Sequence, residues 1–68
     1  MMKLIYMVDG NVFNAEALIS IEARGEDDTV ITLQGGKELV YRMQPHTMGI
    51  EITKAMNSLN HFVVGKGY

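Results

Sequence analysis

Histidines, adjacent carboxylates and one Gly–Lys segment are the features of this chain whose residue types could support chemistry. The two histidines, His46 and His61, have no second ligand-type residue at a recognised metal-binding spacing. Asp27 and Asp28 stand in a polar stretch, where adjacent carboxylates more often solvate a turn than hold a metal or move protons. Residues 34–37 (QGGK) lack the longer glycine-rich loop, running from strand into helix, that binds phosphate. We therefore expect a non-enzymatic protein without a catalytic residue, metal site or cofactor.

Tyrosine and basic side chains raise a second possibility, which is binding of single-stranded nucleic acid by base stacking and phosphate contact. The residues that could take part are Tyr6, Arg24, Lys37, Tyr41 and Arg42. The strand register described below places Tyr41 and Arg42 on opposite faces, which favours a core tyrosine and a solvated arginine. The net charge of −2 also argues against a general binder of polyanions.

Length and composition indicate one domain covering residues 1–68. A chain this short buries only about 60% of its unfolded surface. The absence of cysteine excludes disulfides and thiolate metal sites. No apolar run approaches the roughly 20 residues of a membrane span, and residues 1–8 do not resemble a signal peptide. We expect a cytoplasmic protein without membrane contact.

Among the elements that must position any functional surface, the clearest is a β-hairpin predicted for residues 29–43. A two-residue loop of Gly35-Gly36 would place apolar side chains on both faces. A three-residue loop, 34–36, with Gly36 left-handed instead pairs Ile31 with Leu39 and separates apolar from polar residues. One face then carries Thr29, Ile31, Leu33, Leu39, Tyr41 and Met43, and the other carries Val30, Thr32, Glu38, Val40 and Arg42. We therefore predict the three-residue loop.

Two segments before this hairpin also alternate as strands do. Residues 3–8 predict a strand that turns at Asp9-Gly10-Asn11 and returns through 12–13, followed by a brief turn at 14–17. Residues 18–23 predict a strand with Ile19, Ile21 and Ala23 on one face and Leu18, Ser20 and Glu22 on the other.

Beyond Pro45, which we expect to close the sheet region, the pattern becomes helical. The predicted inward stripe consists of Met48, Ile52, Ala55, Met56 and Leu59. Thr47 is the predicted N-cap, and Asn60 is predicted to end the helix in a left-handed conformation. Residues 61–64 would add a strand or a docked arm, and 65–68 would form a frayed tail.

Several short motifs resemble the small FlbD-type proteins of bacterial flagellar and swarming-motility operons, over about Lys3 to Leu59. The similar residues are Lys3-Leu4, Asp9-Gly10, Phe13-Asn14, Leu18-Ile19, Ile21-Glu22-Ala23, Asp28-Thr29-Val30-Ile31-Thr32-Leu33 and Gly36-Lys37. The resemblance implies a small accessory or regulatory protein without catalytic residues. Its motifs are turn and core residues, so it bears more on the fold than on the function.

A second resemblance is to the core of LytTR-type DNA-binding domains. It is carried by residues 19–23, 30–33, the Gly-Lys turn and Tyr41-Arg42-Met43 before a helix. Those domains are longer and insert polar and basic loop residues into DNA grooves. Here the loop before the hairpin carries Glu26, Asp27 and Asp28, which would repel phosphate, so this interpretation ranks second.

These observations predict an α+β domain: a curved antiparallel sheet of four or five strands with one C-terminal helix on one face. Residues 1–60 would form the sheet and helix, and residues 61–68 an arm or tail. The predicted function is a small protein-interaction or regulatory module of bacterial or phage type, and the alternative is a LytTR-like nucleic-acid-binding regulator.

Self-association follows from the first predicted strand, which is apolar on both faces. Leu4, Tyr6 and Val8 lie on one face, while Ile5 and Met7 lie on the other. One helix can cover only one side of the sheet, so the second side needs another cover. We expect a homo-oligomer, or an unknown protein partner, to contact Ile5, Met7, Val30, Val40 and Phe62.

Overall fold

The computed structural model describes residues 3–66 and has six strands, one α-helix and two short 3-10 turns. The strands are β1 (Leu4–Met7), β2 (Val12–Asn14), β3 (Leu18–Arg24), β4 (Asp28–Leu33), β5 (Glu38–Tyr41) and β6 (Val63–Val64), and the helix α1 spans Pro45–Asn57. The fold is α+β, as predicted. The strands form two three-stranded sheets, ordered β2-β1-β6 and β3-β4-β5, rather than a single sheet of four or five strands.

The β4–β5 hairpin has the predicted register. Ile31 pairs with Leu39, and Val30 pairs with Val40. The loop consists of residues 34–36, because the Leu33 N–H donates to the Lys37 carbonyl at 2.8 Å. Both loop glycines have positive φ angles, 87° at Gly35 and 83° at Gly36, which side chains with a Cβ rarely adopt.

The β1–β2 hairpin also turns where the sequence predicts. Ile5 pairs with Phe13, and the Met7 N–H donates to the Asn11 carbonyl at 2.8 Å. Asp9 holds the turn by accepting from the Asn11 backbone N–H at 3.1 Å and from its side-chain amide at 2.8 Å. Local Asp–Asn hydrogen bonding of this kind explains why these residues favour turns.

A β-bulge in β3 corrects the predicted faces of that strand. Leu18 pairs with Leu33 and Ser20 pairs with Thr32, so the register shifts between them. The extra residue shifts the alternation by one position. Leu18 therefore packs against the core together with Ile21, whereas Ile19, predicted to share the face of Ile21, is 61% exposed.

The ends of α1 differ from those predicted. The helix begins at Pro45 with Gln44 as N-cap, because the fixed φ of proline suits the first helical turn, so Thr47 lies inside the helix. It ends at Asn57, and Asn60 is not left-handed. The predicted inward stripe is correct for Met48, Ile52 and Ala55, but wrong for its last two members, since Met56 and Leu59 lie on the exposed surface.

The segment after α1 returns to the first sheet. Val63 pairs with Tyr6 and Val64 with Met7, in parallel, so residues 63–64 form an edge strand beside β1. Val64 is fully buried, and Gly65 is buried as well. A frayed tail is therefore wrong for Gly65, while residues 67–68 of that prediction lie outside the described part of the chain.

The core lies between the two sheets and α1. Its buried members come from α1, from every strand except β3 and from the segment before α1: Ile5, Met7, Phe13, Ile31, Leu33, Leu39, Met43, Met48, Ile52, Ala55 and Val64. Strand β3 contributes the partly buried Leu18 and Ile21. Thr29 is the buried polar residue of β4, and its hydroxyl donates to the Met43 carbonyl. Thr29 thereby satisfies a carbonyl near the start of α1.

Candidate functional site

The outer face of the first sheet is a continuous apolar surface. Tyr6 on the central strand pairs with Val12 on one side and Val63 on the other, so the three side chains form a row across β2, β1 and β6. Leu4 lies on the same face of β1 and is 42% exposed, and Val12 is 48% exposed. These four residues, Leu4, Tyr6, Val12 and Val63, are defined here as the outer apolar face.

The polar residues next to the outer apolar face are His61, Asn14 and Lys3. The His61 ring packs edge-on against Tyr6, with ring centroids 4.6 Å apart and an interplanar angle of 63°. Asn14 stands opposite Leu4. Lys3, which precedes β1, extends its Nζ to the Ser58 carbonyl at the end of α1, at 2.7 Å. The strand positions that form this face therefore carry no formal charge.

The outer face of the second sheet has the opposite character. Its strand positions are mostly polar: Ser20, Glu22, Arg24, Asp28, Thr32 and Glu38. Arg24 and Glu38 form an ion pair at 3.3 Å. The registers place Val30 midway between these two residues, on the central strand. The ion pair thus lies across Val30, which is 5% exposed, whereas Val40 on the edge strand is 47% exposed.

The five predicted contact residues do not come together as one surface. Ile5 and Met7 are 0% and 3% exposed and face α1 and the core, so they cannot contact a partner. Val30 is covered within the chain, and Phe62 is half-buried against the core. Only Val40 is well exposed. The predicted strip of uncovered residues is therefore wrong, because β1 turns its Leu4 and Tyr6 side to solvent instead.

The sequence of β1 alone does not indicate which of its sides faces inward. Alternation separates Leu4 and Tyr6 from Ile5 and Met7, but both sets are apolar, so the pattern cannot decide which set faces inward. Packing against β6 and α1 determines which side of β1 is buried. Val64 pairs with Met7 on the buried side, and both residues are nearly inaccessible.

The residues considered for chemistry remain dispersed. His46 and His61 lie on the surface at opposite ends of α1, and Asp27 belongs to the exposed β3–β4 loop. Within residues 3–66, no group of three or more histidines, cysteines or acidic side chains could hold a metal ion. In the same part of the chain, no helix is long and apolar enough to cross a membrane.

Tyr41 and Arg42 separate as predicted, with Tyr41 half-buried and Arg42 exposed. The Tyr41 hydroxyl donates to the Asp9 carboxylate at 3.1 Å and so connects β5 to the first hairpin turn. Burial raises the pKa of Tyr41 to about 12, the Asn11 side chain lowers it, and the Asp9 charge and hydrogen bond raise it further. The hydrogen bond between the Tyr41 side chain and the Asp9 turn is a structural contact.

Comparison with known proteins adds no assignment: no family model, no curated protein and no solved structure matches this chain. The FlbD-type and LytTR-type resemblances therefore stay predictions from the sequence. Packing within the described residues leaves Leu4 and Val12 of the outer apolar face exposed.

Proposed function

We propose that this chain is a small non-enzymatic protein-interaction module that forms a homodimer through the outer apolar face. The observation that carries the proposal is the row of Val12, Tyr6 and Val63 across all three strands of a sheet, in which Val12 is exposed and Tyr6 and Val63 are partly exposed. Contiguous exposed apolar surface commonly marks a protein interface. A cytoplasmic regulatory role of bacterial or phage type belongs to the same proposal and rests on composition and the FlbD-type resemblance.

Charge favours a second copy as the occupant of this face. In a two-fold dimer each patch meets the same patch, so a patch without charges can be buried against its copy without burying any charge. The outer apolar face has none at its strand positions, although the chain as a whole carries −2. The outer face of the second sheet carries three carboxylates, on Glu22, Asp28 and Glu38, and one cation, Arg24, so burying it against a copy would desolvate charges.

Sheet packing supplies a suitable geometry. Two sheets can stack face to face about 10 Å apart, with alternate side chains interdigitating between them. In this arrangement Tyr6 would lie at the centre of the contact, where aromatic residues contribute most to interfaces. Leu4 and Val12 would surround it.

The test is a matched pair of lysine substitutions followed by sedimentation equilibrium over a range of protein concentrations. Val12 and Val40 are exposed to almost the same extent, 48% and 47%, but belong to the outer faces of different sheets. Val12→Lys would place a charge in the apolar contact of each copy and should weaken association by about tenfold or more. Val40→Lys should leave association unchanged.

Two outcomes would contradict the proposal. One is a wild-type mass of 7.6 kDa, the monomer, at every concentration up to the high micromolar range. The other is loss of the dimer in Val40→Lys with retention in Val12→Lys, which would move the interface to the second sheet.

A further inference from the structure

A second surface lies where the C-terminal half of α1 faces the returning segment. It is an open cleft of about 430 Å³, within the size range of small-molecule sites. Its lining residues are Glu51, Lys54, His61, Phe62, Val63 and Lys66. This surface is defined here as the Glu51 cleft.

Glu51 is the unusual group in the cleft because its carboxylate is buried with few partners. The residue is 6% exposed, and its Oε1 accepts one long hydrogen bond from the Gly65 N–H, at 3.4 Å. Within residues 3–66 no cation lies within 4.0 Å of this carboxylate. A carboxylate has about four acceptor positions and is costly to bury with most of them empty.

Glu51 is one of the residues that line the cleft. Within residues 3–66 no completely buried side-chain oxygen lacks a hydrogen-bond partner. Oε2 accepts no hydrogen bond from these residues, and Glu51 borders the open space of the cleft. A ligand in the cleft can therefore donate to a preformed, largely desolvated acceptor.

The other charges of the cleft are positive and exposed. Lys54 follows Glu51 by one helical turn, and Lys66 follows the Gly65 turn. Phe62 supplies an apolar lining residue of the same cleft. The cleft thus combines an acceptor for an ammonium group, cations for a carboxylate and an apolar surface for a small side chain.

We propose that the Glu51 cleft binds a free α-amino acid with an apolar side chain. Glu51 accepts hydrogen bonds from the ligand ammonium group, Lys54 and Lys66 attract its carboxylate, and Phe62 contacts its side chain. Charge-assisted hydrogen bonds of this type are stronger than neutral ones. The cleft is open on one side, which fits binding at millimolar rather than nanomolar concentration.

The test uses the intact wild-type chain and NMR titration of its backbone amides, with L-leucine as the probe. The Gly65 amide contacts Glu51 directly, so its shift should move and saturate at millimolar L-leucine. N-acetyl-L-leucine lacks the ammonium group and L-leucine amide lacks the carboxylate, so each should bind at least about tenfold more weakly.

Variants assign the binding to named groups. Glu51→Gln keeps the shape and the acceptor for Gly65 but removes the charge, and it should weaken L-leucine binding by about tenfold or more. Lys37→Gln changes a charge on the distant β4–β5 turn and should have no effect. No saturable shift with L-leucine, equal binding of N-acetyl-L-leucine, or equal binding of inorganic phosphate would each overturn the proposal, and these arms need only the wild-type chain.

Discussion

The Tyr41 hydroxyl connects parts of the chain that are distant in sequence, since it joins β5 to the Asp9 turn. Its pKa is raised to about 12 from an ordinary value of 10.0, first by burial and then by the Asp9 charge. A raised folded-state pKa means that the folded chain holds the proton more tightly than the unfolded chain does. The resulting stability is fully present below pH 10 and is lost as the pH rises towards 12.

We therefore predict that the free energy of unfolding falls more steeply between pH 10 and 12 in the wild type than in Tyr41→Phe. Urea melts at several alkaline pH values measure this difference. Lysines and other tyrosines that titrate in the same range are present in both proteins, so the difference between the wild type and Tyr41→Phe isolates the contribution of Tyr41. Asp9→Asn should lower the Tyr41 pKa, as followed by ultraviolet difference absorbance. Parallel stability curves for the wild type and Tyr41→Phe would show that Tyr41 is not the group responsible.

At the scale of elements, two glycines with different surroundings make a matched comparison. Gly49 lies inside α1 with ordinary helical φ, and a Cβ there would meet nothing within 4 Å. Gly49→Ala should therefore stabilise the protein by about 0.5–1 kcal/mol in thermal or urea melts. Gly65 has a φ of +91°, and its Cβ would lie 3.1 Å from Val8 Cγ1. Gly65→Ala should destabilise the protein, and the reverse order of the two effects would contradict this account.

Strand β5 offers a test of the hairpin faces, because neighbouring residues point in opposite directions. Leu39 is 9% exposed and belongs to the core, while Val40 is 47% exposed. Leu39→Ala should cost about 2–5 kcal/mol, as truncation of core side chains does. Val40→Ala should cost far less, within the range of ordinary surface changes. Equal losses of unfolding free energy would mean that the hairpin faces are misassigned.

The sequence pattern predicted an element correctly where the possible registers would put different residue types on the buried face. The β4–β5 register was predictable because only one loop length separates Ile31 and Leu39 from Thr32 and Glu38. The bulge at Ile19 was not, because a single inserted residue leaves the strand composition unchanged. The inward side of β1 was not predictable either, since it depends on Val64, which is distant in sequence. The outer apolar face was therefore not predicted, because it is the side of β1 that remains exposed once Val64 covers the other side.

For the molecule as a whole, charge predicts weak interaction with duplex DNA. The net charge is −2, and the β3–β4 loop exposes Glu26 and Asp27. Binding to duplex DNA should be weak and should disappear in moderate salt, because it can rest only on a few scattered cations. Gel-shift titrations at increasing salt measure this. A tight, sequence-selective complex at physiological salt would instead favour the LytTR-like interpretation.

The parallel pairing of β6 with β1 also determines when the fold can be completed. Val63 and Val64 are synthesised after nearly all of the other described residues, yet they pair with Tyr6 and Met7. Until they emerge from the ribosome, β1 has only β2 beside it, and the core lacks Val64. Pairing β6 with β1 closes a loop that contains most of the chain. The entropy of closing this loop is lost before the β1–β6 contacts form, and this slows folding. The strands of the β3-β4-β5 sheet are consecutive in sequence, so this sheet can form before β6 pairs with β1.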